Sequence, residues 1–549
     1  MNYTKKDLLY LPLGGSGEIG MNCNLYHYED KWLMIDLGVT FSDNDSNNYE
    51  LIMPDIDFIL EKVDKLSALI LTHAHEDHIG AVPYLIKKLK NVPIYATSFT
   101  ASVLKKKFLS VGLTDYKINL MDYGEEILID DFILEIFCMT HSIPESNALM
   151  IKTKQGNIFH TGDWKLDPSP LIGNPLDKKK LKSVIDEGVD VMICDSTNVF
   201  EVDSSGSEAE VRENLKKIFS EKERGKIIIT CFASNVARVE TILEVSKNSN
   251  KCCLLLGRSL HKIFESANEN NLLLGFNNIV TEKEAEMISE DDLVVICTGS
   301  QGENKAALSR LVEGKHRSFK LEKNDTVIFS SREIPGNEKR INQIKSLVSR
   351  NGCTLLDDSN AKVHVSGHPS REELKKMYDL ILPDLLIPIH GEYRHLDEHV
   401  KFSKKCGIKN QLLVENGDLV KLNKNSSKQI ITKVHNGKNV LKGNKIIPIN
   451  HKFLKDLNLI SENGEVFVNL IMSAENKLLA NPVIYSKSIL LEEINKNELI
   501  QILSESIKSL SNKSIDDEVL LHEIKIQIRS YLKDKIGLKP LTCVEIVRI

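Results

Sequence analysis

Residues 72–81 read THAHEDHIGA, and five of the six residues from His73 to His78 carry an imidazole or a carboxylate. Imidazoles packed this densely repel one another once protonated, and their nitrogens are costly to bury without partners. A cation is what such a group needs. The preceding run, SALILT, has extended character, so side chains two apart face the same way and His73 and His75 can reach one ion together. Asp77 and His78 follow at the expected start of a helix and turn to another side. One ion cannot easily take all four; two can, and imidazole with carboxylate suits zinc or manganese. Further ligands stand at the ends of other strand-like runs: His141 in MTHSIPES, Asp163 in HTGD and His390 in PIHGE. Seven ligands around two cations, with one carboxylate bridging, make a dinuclear site. Such a pair of cations activates water at neutral pH and stabilises an in-line displacement at phosphorus.

A second group of donors lies in VHVSGH. His364, Val365, Ser366, Gly367 and His368 can offer imidazole, hydroxyl and backbone N–H to a phosphate. Gly367 would let the backbone come close.

The elements that must position these groups are short apolar runs ending in polar clusters: LMIDLG (33–38), SALILTHAH (67–75), FILEIFCMTH (132–141), NIFHTGD (157–163) and DVMICDST (190–197). They predict buried strands whose C-terminal ends carry function, and a helix from about Asp77 through VPYLIKKLK. From about 207 the pattern becomes a regular helix–strand alternation. EVRENLKKIFSEK predicts a helix, and KIIITCFAS, KCCLLLG, DLVVICTGS and DTVIFSS predict strands of a parallel sheet covered on both faces. The functional style returns at 363. The expected division is therefore 1–206 for the first part of one domain, 207–362 for a domain inserted into it, and 363–420 for the return segment. Residues 421–449, with seven lysines and no acid in 421–445, predict a linker. A C-terminal α+β domain is expected over 450–549, with a strand at 465–472, an amphipathic helix over 515–536 capped by Ser514 and stopped by Gly537, and a closing strand in LTCVEIVRI.

The chain has 549 residues, too many for one core, and a formal net charge of −6. Anion binding must then be local. Ten cysteines without a CxxC predict buried free thiols and a reducing, cytoplasmic setting. The N-terminal run breaks at Gly14-Gly15, and no apolar stretch reaches the length of a membrane span. GGSGEIGMN (14–22) predicts a tight turn at the edge of the metal site. Trp32 and Trp164 read as packing residues. Phe232 could pack or stack a base.

THAHEDHIGA resembles the HxHxDH signature of the metallo-β-lactamase fold, with Asp36 in IDLG, His141 and Asp163 matching its other ordered motifs. The insertion, with Asp195 in CDSTN, His368 and His390, is similar to the β-CASP branch. TGSQGE (298–303), IPGNEKRI (334–341) and HVSGH together resemble bacterial ribonuclease J. The resemblance implies a metallo-β-lactamase αββα sandwich, an inserted β-CASP α/β domain and a small C-terminal α+β domain. It implies one metal on His73, His75 and His141, another on Asp77, His78 and His390, and Asp163 bridging. Asp36 would orient ligands, and His368 and Asp195 would handle protons. The implied cofactors are two divalent ions, zinc first, with manganese or magnesium as alternatives. The implied activity is 5′→3′ exonucleolytic and endonucleolytic cleavage of RNA, favouring a 5′-monophosphate, by a homodimer or homotetramer with RNA-decay partners. Rival readings are a DNA nuclease of the same branch, a small-molecule metallo-hydrolase, and an inactive RNA-binding scaffold. Two departures from the pattern stand out: Ala74 where the family often has Gly, and Asn304-Lys305 after Glu303 where Pro-Met is more usual.

Overall fold

The computed structural model describes residues 3–42, 49, 51–90, 92–222, 224–475, 477–489, 495–511 and 516–549. The chain forms two compact units, Met1–Asp43 with Ile52–Lys438, and Asn44–Leu51 with Asn439–Ile549.

In the first unit two sheets lie face to face. One runs in the order Gln429–Lys433, Asp418–Lys421, Leu9–Gly14, Cys23–Tyr28, Lys31–Ile35, Leu66–Ile70, Ile94–Ala96, Ile118–Leu120. The other runs Glu126–Ile129, Phe132–Met139, Ser146–Thr153, Gly156–His160, Val191–Asp195, Leu385–Ile389, Asn410–Gln411. Strand alternation sorts their side chains. Leu149, Ile151, Ile158 and Ile193 join Tyr10, Tyr26, Leu33 and Ile35 in the core between the sheets. Met150, Phe159 and Met192 point the other way, onto Leu374, Met377 and Tyr378 of helix Arg371–Ile381. Burial on both faces explains why VMICD is almost wholly apolar.

Val191–Asp195 pairs in parallel with Leu385–Ile389, Asp195 opposite Ile389. The chain leaves the sandwich after one strand and returns in the next. Between them a separate six-stranded sheet forms, in the order Ile279–Val280, Cys252–Leu256, Leu293–Cys297, Ile227–Thr230, Thr326–Phe329, Thr354–Leu356. Every pairing in it is parallel. This is the αββα sandwich with an inserted α/β domain that the sequence predicts.

Two expectations need correction. The lysine-rich run, expected as a linker with little core of its own, carries strands: Gln429–Lys433 is the edge strand of the first sheet, and Lys438–Lys442 pairs with Lys445–Pro448. Its lysines meet acids and carbonyls of the fold, Lys421 on Asp7 at 2.6 Å, Lys433 on Asp418 at 3.7 Å, and Lys428 donating to the Asp190 carbonyl at 3.0 Å. The helix expected after Asp77 is a chain of short pieces, Glu76–Ile79, Val82–Leu85 and the 3-10 turn Ile86–Leu89. Gly80, Ala81 and Pro83 interrupt it, since Gly disfavours helix interiors and Pro is tolerated only in a first turn.

In the second unit a sheet ordered Val483–Lys487, Glu465–Met472, Leu541–Arg548 packs on helices Lys496–Ser511 and Asp517–Ile536. Val466, Val468, Leu470 and Met472 alternate into that core with Ile524, Ile528 and Leu532. Gly537 ends the long helix in a left-handed conformation (φ 72°), as predicted. The N-cap is Asp516; Ser514 lies outside the described residues. All ten cysteines are free thiols. Trp32 and Trp164 are fully buried.

Candidate metal centre

The motif residues sit where strand Leu66–Ile70 ends and helix Glu76–Ile79 begins. The backbone there is threaded tightly. A Cβ on Gly38 would lie 1.7 Å from the Asp77 carbonyl oxygen, so only glycine lets the IDLG turn pass. The glycine loop at 14–22 closes the other side, as expected. Gly15 O accepts from His390 N at 2.6 Å, and the Asn22 amide lies 3.0 Å from His78 Nε2.

Two groups of ligand-type atoms converge. His73, His75, His141 and Asp163 form one, and Asp77, His78, Asp163 and His390 the other; within each group the atoms lie within 4.8 Å of one another. Asp163 Oδ2 belongs to both. It stands 3.8 Å from His73 Nε2 and from His141 Nε2, 3.2 Å from His78 Nε2 and 3.9 Å from His390 Nε2. Asp77 Oδ2 is 3.0 Å from His390 Nε2 and 3.5 Å from His78 Nε2.

Outer partners fix which ring nitrogens carry hydrogen. His78 Nδ1 donates to Asp36 Oδ2 at 2.7 Å, and His141 Nδ1 to Gly367 O at 2.6 Å. Thr72 Oγ1 donates to Asp36 Oδ2 and so accepts from His73 Nδ1 at 3.0 Å. Thr197 Oγ1 donates to Asp195 Oδ1 and accepts from His390 Nδ1 at 2.6 Å. In this tautomer each of the four rings turns a bare Nε2 inward, the arrangement metal ligands require. His75 Nδ1 then lies 3.0 Å from His73 Nε2 and 3.1 Å from His141 Nε2, lone pairs gathered around one point.

Charge agrees with this. Burial, then neighbouring histidines, holds His73 and His141 well below the ordinary histidine value, and burial pushes His75 down to about 4. Burial also pulls on His78 and His390, but Asp163 leads the carboxylates that raise both well above it. The acids of the second group call for positive charge, which protons or a cation can supply. The donor set, five imidazoles and two carboxylates, fits two borderline-soft divalent ions.

Asp195, Asp163, His368 and His390 form a third convergence. His368 Nδ1 donates to Asp195 Oδ2 at 2.8 Å. Asp195 also accepts from Thr197 N at 2.9 Å and is fully buried, whereas the His368 side chain is 22% exposed. His368 is therefore the member a substrate can reach. Burial lowers its pKa, but Asp195 and Asp163 together outweigh burial and raise it.

The expected phosphate cradle divides. Ser366, Gly367 and His368 lie at the centre. A Cβ on Gly367 would come within 2.8 Å of the His141 ring, so this glycine serves the ligand's placement. His364 turns instead among Arg238, Lys165 and Arg332; burial, then their charges, hold it well below its ordinary value. Val365 packs against Gly206. Sequence reasoning missed Thr72, Thr197 and Asn198. Asn198 Nδ2 donates to Ser366 Oγ at 2.6 Å and to His368 O at 3.1 Å, and Arg332 holds its carbonyl oxygen at 2.9 Å. All three adjoin motif residues in THAH and CDSTN, which is the signal that could have found them.

Comparison with known proteins bears on this geometry. Residues 17–132 match the family model described as Metallo-beta-lactamase superfamily, 224–347 that of Ribonuclease J, beta-CASP domain, and 359–412 that of Zn-dependent metallo-hydrolase RNA specificity domain. The chain is 36% identical to Ribonuclease J of Sinorhizobium meliloti over 99% of its own length and 98% of that protein's. The chain belongs to the ribonuclease J family. Ribonuclease J 1 of Streptococcus pyogenes serotype M3 is 32% identical over 96% and 95% of the two chains. The fold is shared with a crystal structure of a protein of unknown function from Enterococcus faecalis V583, at a TM-score of 0.53 and 16% identity, covering 76% of this chain and 100% of that one. As a ribonuclease J family member the chain is a metallo-hydrolase, and the His/Asp groups above could hold its ions. Among the described residues no helix is long and apolar enough to cross a membrane.

Proposed function

We propose that the protein is a dimetal ribonuclease cleaving RNA phosphodiesters, from the 5′ end towards the 3′ end and also internally. The observation that carries the reading is Asp163 Oδ2, common to two three-ligand groups, with the His368–Asp195 pair beside it. His73, His75 and His141 would hold one ion, and Asp77, His78 and His390 the other. Zinc fits these donors best; manganese and magnesium are the alternatives. When bound, the ions supply Lewis-acid charge stabilisation and a lowered pKa for water.

The chain's own residues do the rest. Asp36, Thr72, Thr197 and the Gly367 carbonyl keep each Nε2 aimed inward. His368, reachable and kept basic by Asp195, exchanges a proton with the reacting or leaving oxygen. Ser366 Oγ accepts from Asn198 Nδ2 and from His368 N, leaving its own hydrogen to donate to a 5′-phosphate. With a 5′-hydroxyl that donor lacks an anion, a loss of roughly 1–3 kcal/mol. A monophosphate is accordingly the preferred terminus.

The test times mononucleotide release from three RNAs differing only at the 5′ end. The monophosphate should be fastest, and Ser366→Ala should lose that preference while retaining internal cleavage. Equal rates on all three would refute the pocket. RNA is the substrate because the return segment matches an RNA specificity domain; a matched DNA oligomer should be cut more slowly. The cytoplasm is the proposed setting, in RNA maturation and decay alongside other decay factors. A homodimer, or a tetramer built from it, is proposed through 450–549, where Phe467, Tyr485 and Val547 stand exposed. A chain ending near residue 445 should be more monomeric by light scattering, and less active.

A further inference from the structure

Three elements meet at the proton-handling end of the centre. Strand Val191–Asp195 ends in Asp195, helix Arg371–Ile381 begins three residues after His368, and helix Tyr393–Lys405 begins three residues after His390. In front, Asp195, His368 and His390 converge with Asp163. Behind, the same three elements are joined a second time, by side chains that the mechanism above does not use. Ser196, the residue after Asp195, has its Oγ 2.8 Å from Nδ1 of His399 in helix Tyr393–Lys405. His399 Nε2 is hydrogen-bonded to the hydroxyl of Tyr378 in helix Arg371–Ile381. Ser196 and His399 are wholly buried, and Tyr378 nearly so.

The two helices also share an apolar core, Leu374, Met377 and Ile381 with Phe402 and Cys406, so packing between them does not need an imidazole. Burial keeps that imidazole neutral, pushing its pKa down to about 4 although Asp195 pulls the other way. A neutral ring offers one donor and one acceptor, and a hydroxyl can be either, so Ser196 and Tyr378 satisfy both nitrogens. Along the turn 195–197 the side chains alternate. Asp195 Oδ2 faces His368 Nδ1 and Thr197 Oγ1 faces His390 Nδ1, while Ser196 between them points back to His399. Gly391 permits this approach: a Cβ there would stand 3.3 Å from the Ser196 Cβ and 2.8 Å from the His395 Cβ. Arg371 ties the same loop and helices independently, Nε donating to Val199 O at 2.7 Å and Nη2 to Glu398 Oε1 at 2.6 Å. Arg371 holds the loop at Val199; His399 holds it at the residue adjoining Asp195.

We propose that His399 is a positioning residue for RNA cleavage, which through Ser196 fixes the turn that aims the Asp195 carboxylate at His368. The inference rests on the nuclease reading above and deepens it with a residue that touches neither substrate nor metal. Misplacing a reacting group by an ångström can cost about a hundredfold in rate, so a tie one residue from Asp195 bears on turnover as well as on stability.

The test measures RNA cleavage by the full, metal-loaded chain, with kcat and KM separated and metal content and urea midpoint recorded beside them. His399→Leu, which removes both bonds, should lower kcat by about 10- to 100-fold at unchanged KM and metal content. His399→Asn, close to Leu in size but with an amide in the place of Nδ1, should recover most of the loss. Acting through Asp195 means that the two losses do not multiply: in an Asp195→Asn background, His399→Leu should cost almost nothing further. A His399→Leu chain that turns over at the parent kcat, however destabilised, overturns the proposal. So do losses that multiply, a change in KM alone, or loss of a metal ion, which would place the effect at His390. Should His399→Leu fail to fold, Ser196→Ala and Tyr378→Phe, each lacking one hydroxyl, are judged by the same criteria. A parent that does not cleave RNA overturns the nuclease reading and this inference with it; a parent that cleaves beside variants at full kcat overturns this inference alone.

Discussion

Arg238 and four of the histidines around Asp163, His73, His78, His141 and His390, are buried in the same unit of the molecule and meet their burial in opposite ways. Arg238 is internally satisfied. Nε and Nη2 donate to Glu208 at 2.9 and 3.0 Å, and Nη1 donates to Ser330 Oγ, Ser330 O and Val363 O at 2.7, 2.9 and 2.9 Å. It ties the first helix of the inserted domain to the residue just before VHVSGH's remaining segment, HVSGH. These four histidines satisfy their outer nitrogens and turn the inner ones toward one another and toward Asp77 and Asp163. A buried polar group normally finds its partner within the fold. Where a whole cluster declines to, the missing partner is something the protein binds. The difference separates a strut from a site, although both cost desolvation.

The largest effect expected from breaking this contrast is at the shared oxygen. Asp163→Ala should cost roughly a thousandfold or more in RNA cleavage, the several kcal/mol that metal charge stabilisation supplies. Metal content by mass spectrometry should fall in parallel, and a variant that keeps both ions and full turnover would refute the bridging role. Next comes the strut. Arg238→Met leaves Glu208 as an unpaired buried charge and should destabilise by about 3–5 kcal/mol in urea unfolding. Glu208→Met on top of it should recover part of that loss, since an apolar pair can replace a buried ion pair; a site built for a cation would not be rescued this way.

A smaller effect is expected one step out from the metals. Asp36→Asn retains the shape but weakens its hold on His78 Nδ1 and Thr72, and should reduce metal affinity by about 10–100-fold with the fold intact. Circular dichroism and metal titration together check this. The smallest effect is a pH slope. Burial pushes Glu208 up, but Arg238, with Lys165 and Asn235, outweighs it and holds the carboxyl below the ordinary glutamate value of 4.5. Its contribution to stability is therefore fully present above pH 4.5 and is lost as pH falls through the lower, folded-state value. Acid unfolding of Glu208→Gln should show a shallower loss below pH 4.5 than the parent.

Local pattern brought out the candidate ligand set because metal chemistry tolerates few residue types. HxHxDH after an apolar run, with His141, Asp163 and His390 at strand ends, was legible from residue type, spacing and family resemblance, as was the parallel sheet of the insertion from its apolar runs. The sequence alone also determined a sheet-rich α/β layer structure and Gly537's place at a helix end, since both follow from periodicity and from conformations few residues adopt; the αββα sandwich was what the family resemblance implied. Only the tertiary structure decided the partners. That Thr197 and Asn198 hold His390 and Ser366 depends on Asp195 lying beside Ile389 in a sheet, across 193 intervening positions bridged by an entire inserted domain. That His364 turns away from the centre while His368 faces it depends on where Arg238 pins Val363. The lysine run at 421–449 looked solvated because charge and Asn-Gly content are local properties, whereas its acids, Asp7, Asp190 and Asp418, come from elsewhere in the chain or from the neighbouring strand. Long-range pairing has no period for a sequence to display, and burial of a polar group is knowable only once its partner is in place.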